Sequence, residues 1–240
     1  MTEQHPIETG ALPGWRVTLP QRPLTGLTIL VVEDSRIASE AVRLLCLRSG
    51  ARIRRADSVR AALRHLQAYR PGAVLVDMGL PDGDGAGVIA TLAQARPRVP
   101  AILGISGDPG NRDAALAAGA DGFLAKPIES LAVFQQAILA AMPAECQPVG
   151  PRPLPDDVIA ADRDALRDDL AHVADVLANA DDTGAIDYIA RFLAGVARSA
   201  HDRPLEEAAA ALARDYSAGR ALAADLVRIS GMVHDRLARA

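Results

Sequence analysis

Asp77 closes the apolar run Ala73 to Val76 and is followed by the loop-forming stretch LPDGDG. Small and β-branched residues in an unbroken run fit a strand buried on both faces, which puts Asp77 at the strand's C-terminal end, where a parallel sheet opens its binding crevice. Three further strand-like runs end in residues able to do chemistry. Ile29 to Val32 runs into Glu33 and Asp34, Ala101 to Ile105 into Ser106, and Phe123 to Ala125 into Lys126, with Pro127 next. Three carboxylates gathered at such tips cannot all stay ionised without a cation, and an oxygen-only set with few ligands suits Mg²⁺. The Ser106 hydroxyl and the Lys126 ammonium then face an anionic group placed on Asp77.

Lys126 stands out by composition. It is the one lysine among the 26 basic Lys and Arg residues of the chain. A compact ammonium acts as a point charge on a phosphoryl oxygen or carboxylate, whereas a guanidinium presents a larger planar fork. The residue type at this tip is therefore read as functional.

Glu33-Asp34, Asp77 with LPDGDG behind it, Ser106-Gly107 and Lys126-Pro127, in this order and each after a strand-like run, resemble the receiver domain of two-component response regulators. The resemblance covers about residues 27–142. It implies that Asp77 accepts a phosphoryl group from a sensor histidine kinase or a phosphotransfer protein, and that Glu33, Asp34 and Asp77 hold Mg²⁺. It further implies that Ser106 and Lys126 bind the phosphoryl oxygens, that Phe123 is a switch aromatic, and that the Lys126-Pro127 bond is cis. Gly79, two residues past the acceptor, has a carbonyl free for the metal and no side chain to position an attacking water. Asp108, two past Ser106, is placed to orient or repel that water, so Gly79 and Asp108 are read as tuning dephosphorylation.

The elements that must position these tips are legible as alternating strands and helices from Leu27 onward, the pattern of a parallel sheet covered on both sides. Arg52 to Ala56 is charged, as suits an edge strand. Ser35 is a candidate N-cap, Gly50 and Gly119 end helices, and Leu131, Phe134, Ile138 and Met142 mark the face of the last helix before the pattern changes. Five βα units result. By resemblance the fold is flavodoxin-like, a doubly wound (βα)5 sheet in strand order 2-1-3-4-5, which makes the first and third strands neighbours and brings Glu33, Asp34 and Asp77 together.

The rest of the 240 residues divides by composition. Residues 1–26, rich in proline and glycine, read as an N-terminal extension with Trp15 as its large anchor. Residues 143–155 hold five prolines and read as an extended, semi-rigid linker. Residues 156–240 form a helical bundle module: Leu166, Leu170, Val173 and Leu177 make one stripe; Ile186, Ile189, Leu193 and Val196 a second. Leu205, Ala209 and Leu212 make a third, and Leu222, Leu226, Ile229, Val233 and Leu237 a fourth. This module has 16 acidic and 10 basic residues, which speaks against a DNA-binding output, since DNA demands a positive face. It carries no zinc spacing, nucleotide loop or nucleophile elbow, so a non-enzymatic docking or dimerisation role is expected.

His172, His201 and His234 raise the alternative of a phosphorelay intermediate whose bundle is a histidine phosphotransfer or enzymatic effector domain. None is followed by the Lys-Gly pattern usual there, and surface histidines are the preferred reading. The bundle is short of aromatics and gains by packing against something. The expected surfaces are the fourth and fifth helices of the receiver-like unit or the same module of a second chain. No apolar run reaches the ~18 residues of a membrane span and no signal-peptide pattern opens the chain, which points to the cytoplasm. Cys46 and Cys146 read as unpaired thiols.

Overall fold

The computed structural model of the protein describes residues 21–147, 154–160, 162–178 and 183–239. The expected N-terminal arm with Trp15 and the middle of the proline-rich stretch lie outside them. Five strands, β1 (Thr28–Val32), β2 (Arg52–Ala56), β3 (Ala73–Asp77), β6 (Ala101–Ser106) and β7 (Gly122–Ala125), form one parallel sheet in the order β2-β1-β3-β6-β7. Two short segments, β4 (Gly79–Leu80) and β5 (Gly83–Asp84), pair antiparallel within the loop after Asp77. Five helices alternate with the main strands: α1 (Arg36–Ser49), α2 (Val59–Ala68), α3 (Gly85–Gln94), α4 (Asn111–Ala117) and α5 (Leu131–Ala141).

The strands sort their side chains by alternation, as the period of two in an extended chain requires. Ile29, Val31, Leu75 and Leu103 face one layer with Phe134 and Ile138 of α5; Leu30, Val32, Val74 and Ile102 face the other with Ile89 of α3. Both faces being buried explains why these runs are continuously apolar in sequence. The edge strand β2 differs: Arg52 and Arg54 point to solvent.

Local signals fix the helix starts. Ser35, Ser58, Asp84 and Ser130 are N-caps whose side chains accept from the backbone N–H groups of Ala38, Ala61, Ala86 and Val133. Each satisfies a donor that the first helical turn leaves orphaned. Gly50 ends α1 at φ 84°, in the left-handed region, where glycine carries no steric cost.

Four helices follow: α6 (Arg163–Ala178), α7 (Thr183–Ser199), α8 (Arg203–Ser217) and α9 (Ala223–Leu237). The four apolar stripes converge on a shared core that includes Leu170, Val173, Leu193, Val196, Leu212 and Ile229. Ile37 of α1 belongs to that same core. Helices α6 and α7 pack against α1, and α7 also meets β4. This differs from the expected docking on the fourth and fifth helices. The surface used is the start of α1 at the C-terminal edge of the sheet, where Ile37 inserts into the apolar core that α6 to α9 share.

Two further differences concern boundaries. Leu24 is fully buried in the sheet's core and donates its N–H to Ser49 O at 3.0 Å, so packing begins before Leu27. The proline-rich stretch is not uniformly extended: Ala144–Cys146 make a 3-10 turn. Beyond it, Ile159 is buried in the same core, held by its N–H to Glu129 O at 2.9 Å. Burying an isoleucine is worth about 1.5–3 kcal/mol, enough to pull this segment onto α5.

Candidate functional site

The crevice sits where the parallel sheet's strand tips open, between β1 and β3 on one side and β6 and β7 on the other. Strands β1 and β3 pair directly, Val32 opposite Val76, which brings Glu33, Asp34 and Asp77 to one spot. One carboxylate oxygen from each lies within 4.8 Å of the others. Gly85 makes this geometry possible, since a Cβ there would lie 2.0 Å from Asp77 O. Only a residue without a side chain lets the LPDGDG loop fold back beneath Asp77.

Lys126 reaches in from the tip of β7. Its Nζ lies 2.6 Å from Glu33 Oε2 and 3.0 Å from Asp77 Oδ2. Burial pulls its ammonium pKa down, but Asp77 and Glu33 outweigh that, and the net direction is upward. Burial pushes Glu33 well above its ordinary value, with Lys126 opposing and the charges of Asp77 and Asp34 adding to the rise. Asp34 is raised by burial too, against the hydrogen bond from Tyr188.

Ser106 lies at the tip of β6, buried at 6% exposure. Its hydroxyl accepts from Asp108 N at 3.1 Å and from Asn111 Nδ2 at 2.9 Å. Asp108 itself accepts from Gly110 N at 2.9 Å, an arrangement that turns the chain into α4. The Lys126-Pro127 peptide is cis, as is Arg96-Pro97. Gly79 lines the crevice with nothing within 4 Å of a built Cβ. Phe123, on β7 opposite Gly104, packs against the layer of Ile102 and Ala115 and does not line the crevice.

The crevice has a second wall that sequence reasoning missed. Tyr188, Arg191, Phe192 and Arg198 of α7 line the same cleft as Asp34, Asp77, Ser106 and Lys126, a space of about 720 Å³. Tyr188 donates its hydroxyl to Asp34 Oδ2 at 2.7 Å. Burial raises the Tyr188 phenol, and the Asp34 charge adds to it. Asp169 of α6, only 2% exposed, accepts from Ser35 Oγ at 2.9 Å, Arg36 N at 2.7 Å and Ile37 N at 3.0 Å. Burial raises its carboxyl, and these three donors pull it back. His172, His201 and His234 are all exposed; His201 Nε2 lies 2.8 Å from Glu129 Oε1.

A βα sheet in this order, with a carboxylate trio, a hydroxyl and a lysine at its tips, defines a receiver domain. The family model described as the response regulator receiver domain matches residues 29–138, and that part of the chain is such a domain. Among curated relatives, the KDP operon transcriptional regulatory protein KdpE of Escherichia coli K12 is 29% identical over 126 residues, 52% of this chain and 56% of its own. The probable transcriptional regulatory protein TcrX of Mycobacterium tuberculosis is 32% identical over 116 residues, 47% of this chain and 50% of its own. Among solved structures, the receiver domain of sensor histidine kinase PA1611 from Pseudomonas aeruginosa PAO1, which has a magnesium ion in its active site cleft, is 27% identical. That match covers 49% of this chain and 98% of that one, with a TM-score of 0.44. The chain spans about half the length of the curated relatives it matches, and α6 to α9 lie beyond the residues of the family match.

Proposed function

We propose that the chain is a response regulator in which Asp77 accepts a phosphoryl group from a phosphohistidine donor on a kinase or phosphotransfer protein, and in which the C-terminal helices are a non-enzymatic protein-docking output. The carrying observation is the trio Glu33, Asp34 and Asp77 within 4.8 Å, together with Lys126 3.0 Å from Asp77. An Asp77 oxygen attacks phosphorus, the P–N bond to the donor imidazole breaks, and that nitrogen takes up a proton. Lys126 and the Ser106 hydroxyl bind the oxygens of the arriving group.

The donor set fits a divalent cation. Three ionised carboxylates with one ammonium leave an excess of two negative charges, and the upward displacement of Glu33 and Asp34, caused first by burial and added to by the neighbouring carboxylates, is what a cation would relieve. Glu33, Asp34, Asp77 and the Gly79 carbonyl would hold Mg²⁺. When bound, Mg²⁺ supplies charge neutralisation for the incoming phosphoryl oxygens. Against DNA as the output's target stands its excess of acidic residues, 16 to 10, since a DNA-binding face must be positive.

The test is labelling by acetyl phosphate followed by intact-mass measurement. One phosphoryl group is expected on the wild-type chain with Mg²⁺, and none with excess EDTA or in Asp77→Asn. Undiminished labelling of Asp77→Asn overturns the assignment.

A further inference from the structure

We propose that α6 to α9 are a clasp seated on the receiver's own crevice, and that its seating and the binding of a divalent cation at Glu33, Asp34 and Asp77 oppose one another. The inference rests on the cation-site reading above and goes beyond it by naming the occupant of the crevice's mouth: the chain's own helix α7.

The clasp's anchors fall beside three of the four tips that carry a site residue, those of β1, β6 and β7. Tyr188 takes Asp34 Oδ2 at 2.7 Å, while Asp34 Oδ1 accepts from Ser35 N at 3.0 Å. Both oxygens of this carboxylate are thus engaged in the closed arrangement. Asp169 grips the next three residues through Ser35 Oγ, Arg36 N and Ile37 N. At the second tip, Arg198 donates to Gly107 O, next to Ser106, and is itself held by Glu206 at 2.7 Å. At the third, His201 meets Glu129, three residues past Lys126, at 2.8 Å.

A side chain that donates to Asp34 Oδ2 stands where a cation's own water shell must go, because Mg²⁺ keeps several waters and holds to octahedral geometry. Tyr188 supplies a partial positive charge that partly substitutes for the cation. The segment 33–37 cannot move to meet an ion without straining both the Tyr188 and the Asp169 contacts. Coupling of this kind is reciprocal: a cation that prefers the open crevice must loosen the clasp by the same factor as the clasp weakens its binding. The phosphoryl group on Asp77 would act in the same direction through Gly107 and Glu129.

The experiment is isothermal titration of the full chain with MgCl₂, comparing wild type, Tyr188→Phe, Asp169→Asn and Asp34→Asn. Hydrogen exchange of residues 186–199 is followed with and without Mg²⁺ plus beryllium fluoride. Tyr188→Phe removes the occluding hydroxyl with little change of shape and is expected to tighten Mg²⁺ binding at least about fivefold, the lower end of the usual coupling between two sites. Asp169→Asn should act in the same direction, Asp34→Asn should abolish binding, and exchange in 186–199 should rise on occupancy. If binding depends on Asp34 but is equal in wild type and Tyr188→Phe, or weaker in Tyr188→Phe with exchange unchanged, the clasp is overturned while the cation site stands. If no variant binds Mg²⁺ through Asp34, the cation-site reading falls and the clasp with it.

Discussion

Asp169 caps α1 from another part of the chain: its carboxylate accepts from the hydroxyl of Ser35, 134 residues earlier, and from the two N–H groups that follow. Ser35 is already the local N-cap, accepting from Ala38 N at 3.2 Å. The helix start is therefore closed twice, and a negative charge lies at its positive end.

Asp169→Ala removes the acceptor for three donors at once. Caps contribute about 0.5–2 kcal/mol and a buried donor left unpaired costs about 1–3 kcal/mol, so a loss of about 2–4 kcal/mol is expected in urea unfolding of the whole chain. Asp169→Asn keeps a carbonyl oxygen for part of the set and should lose less. A loss below about 0.5 kcal/mol for Asp169→Ala would show that the contact is incidental.

The site residues on the receiver side were legible because each stands at the end of its own apolar run. Asp77, Ser106 and Lys126 needed no knowledge of what they touch. Tyr188, Asp169 and Arg198 carry no such local mark. Tyr188 is off the stripe of Ile186, Ile189, Leu193 and Val196, where periodicity reads a polar face, yet it meets Asp34 154 residues away. A stripe says which face of a helix is buried and is silent on which surface buries it, so the seat of α6 and α7 on α1 was out of reach. Asn111 had a local sign, five residues after Ser106 at the start of α4, but its amide's reach back to the hydroxyl depends on how Asp108 turns the chain. The burial of Ile159 also went unread, because Val158 and Ile159, between the proline-rich stretch and the first helical stripe, are too few to set a period.

The lifetime of the phosphoryl group should respond to Gly79 and Asp108, which both line the crevice. There is open space at Gly79 for a side chain, so Gly79→Asn adds an amide beside the path of an attacking water without distorting the loop. Asp108→Ala removes a carboxylate from the same region. Dephosphorylation followed by intact mass after removal of acetyl phosphate should change at least about threefold in one or both variants, a barrier difference of about 0.6 kcal/mol or more. Identical decay in wild type and both variants contradicts this role.

The two thiols should differ sharply in reactivity. Cys46 is fully buried in α1, and burial pushes its pKa up to about 12; Cys146 is half-buried after α5. Since the thiolate is the reactive form, an aromatic disulfide reagent should modify one thiol of the native chain, Cys146, and reach Cys46 only after denaturation. Fast modification of Cys46 in the native chain would mean that α1 is not packed as described.

Arg236 holds the Asp202 carboxyl below its ordinary value of 3.8, with burial opposing and the Leu205 N–H helping. A depressed folded value means that the unfolded chain binds more protons at acid pH. The stabilisation is fully present above 3.8 and is lost as pH falls through the lower folded value. The urea midpoint of the chain, read by circular dichroism, should therefore drop in that acid window, and the drop should be shallower in Asp202→Asn. Parallel profiles for the two chains would show that the Asp202–Arg236 pair contributes nothing to acid stability.

The most direct test of the account is where the phosphoryl group resides. Treating the acetyl-phosphate-labelled chain with borohydride reduces an acyl phosphate to an alcohol and converts a phosphorylated aspartate into homoserine, which peptide mass spectrometry locates. Homoserine is expected at position 77 alone, dependent on Mg²⁺. Homoserine at position 34 with Asp77 intact, or an acid-labile phosphoryl group on His172, His201 or His234 without reduction at 77, would contradict it.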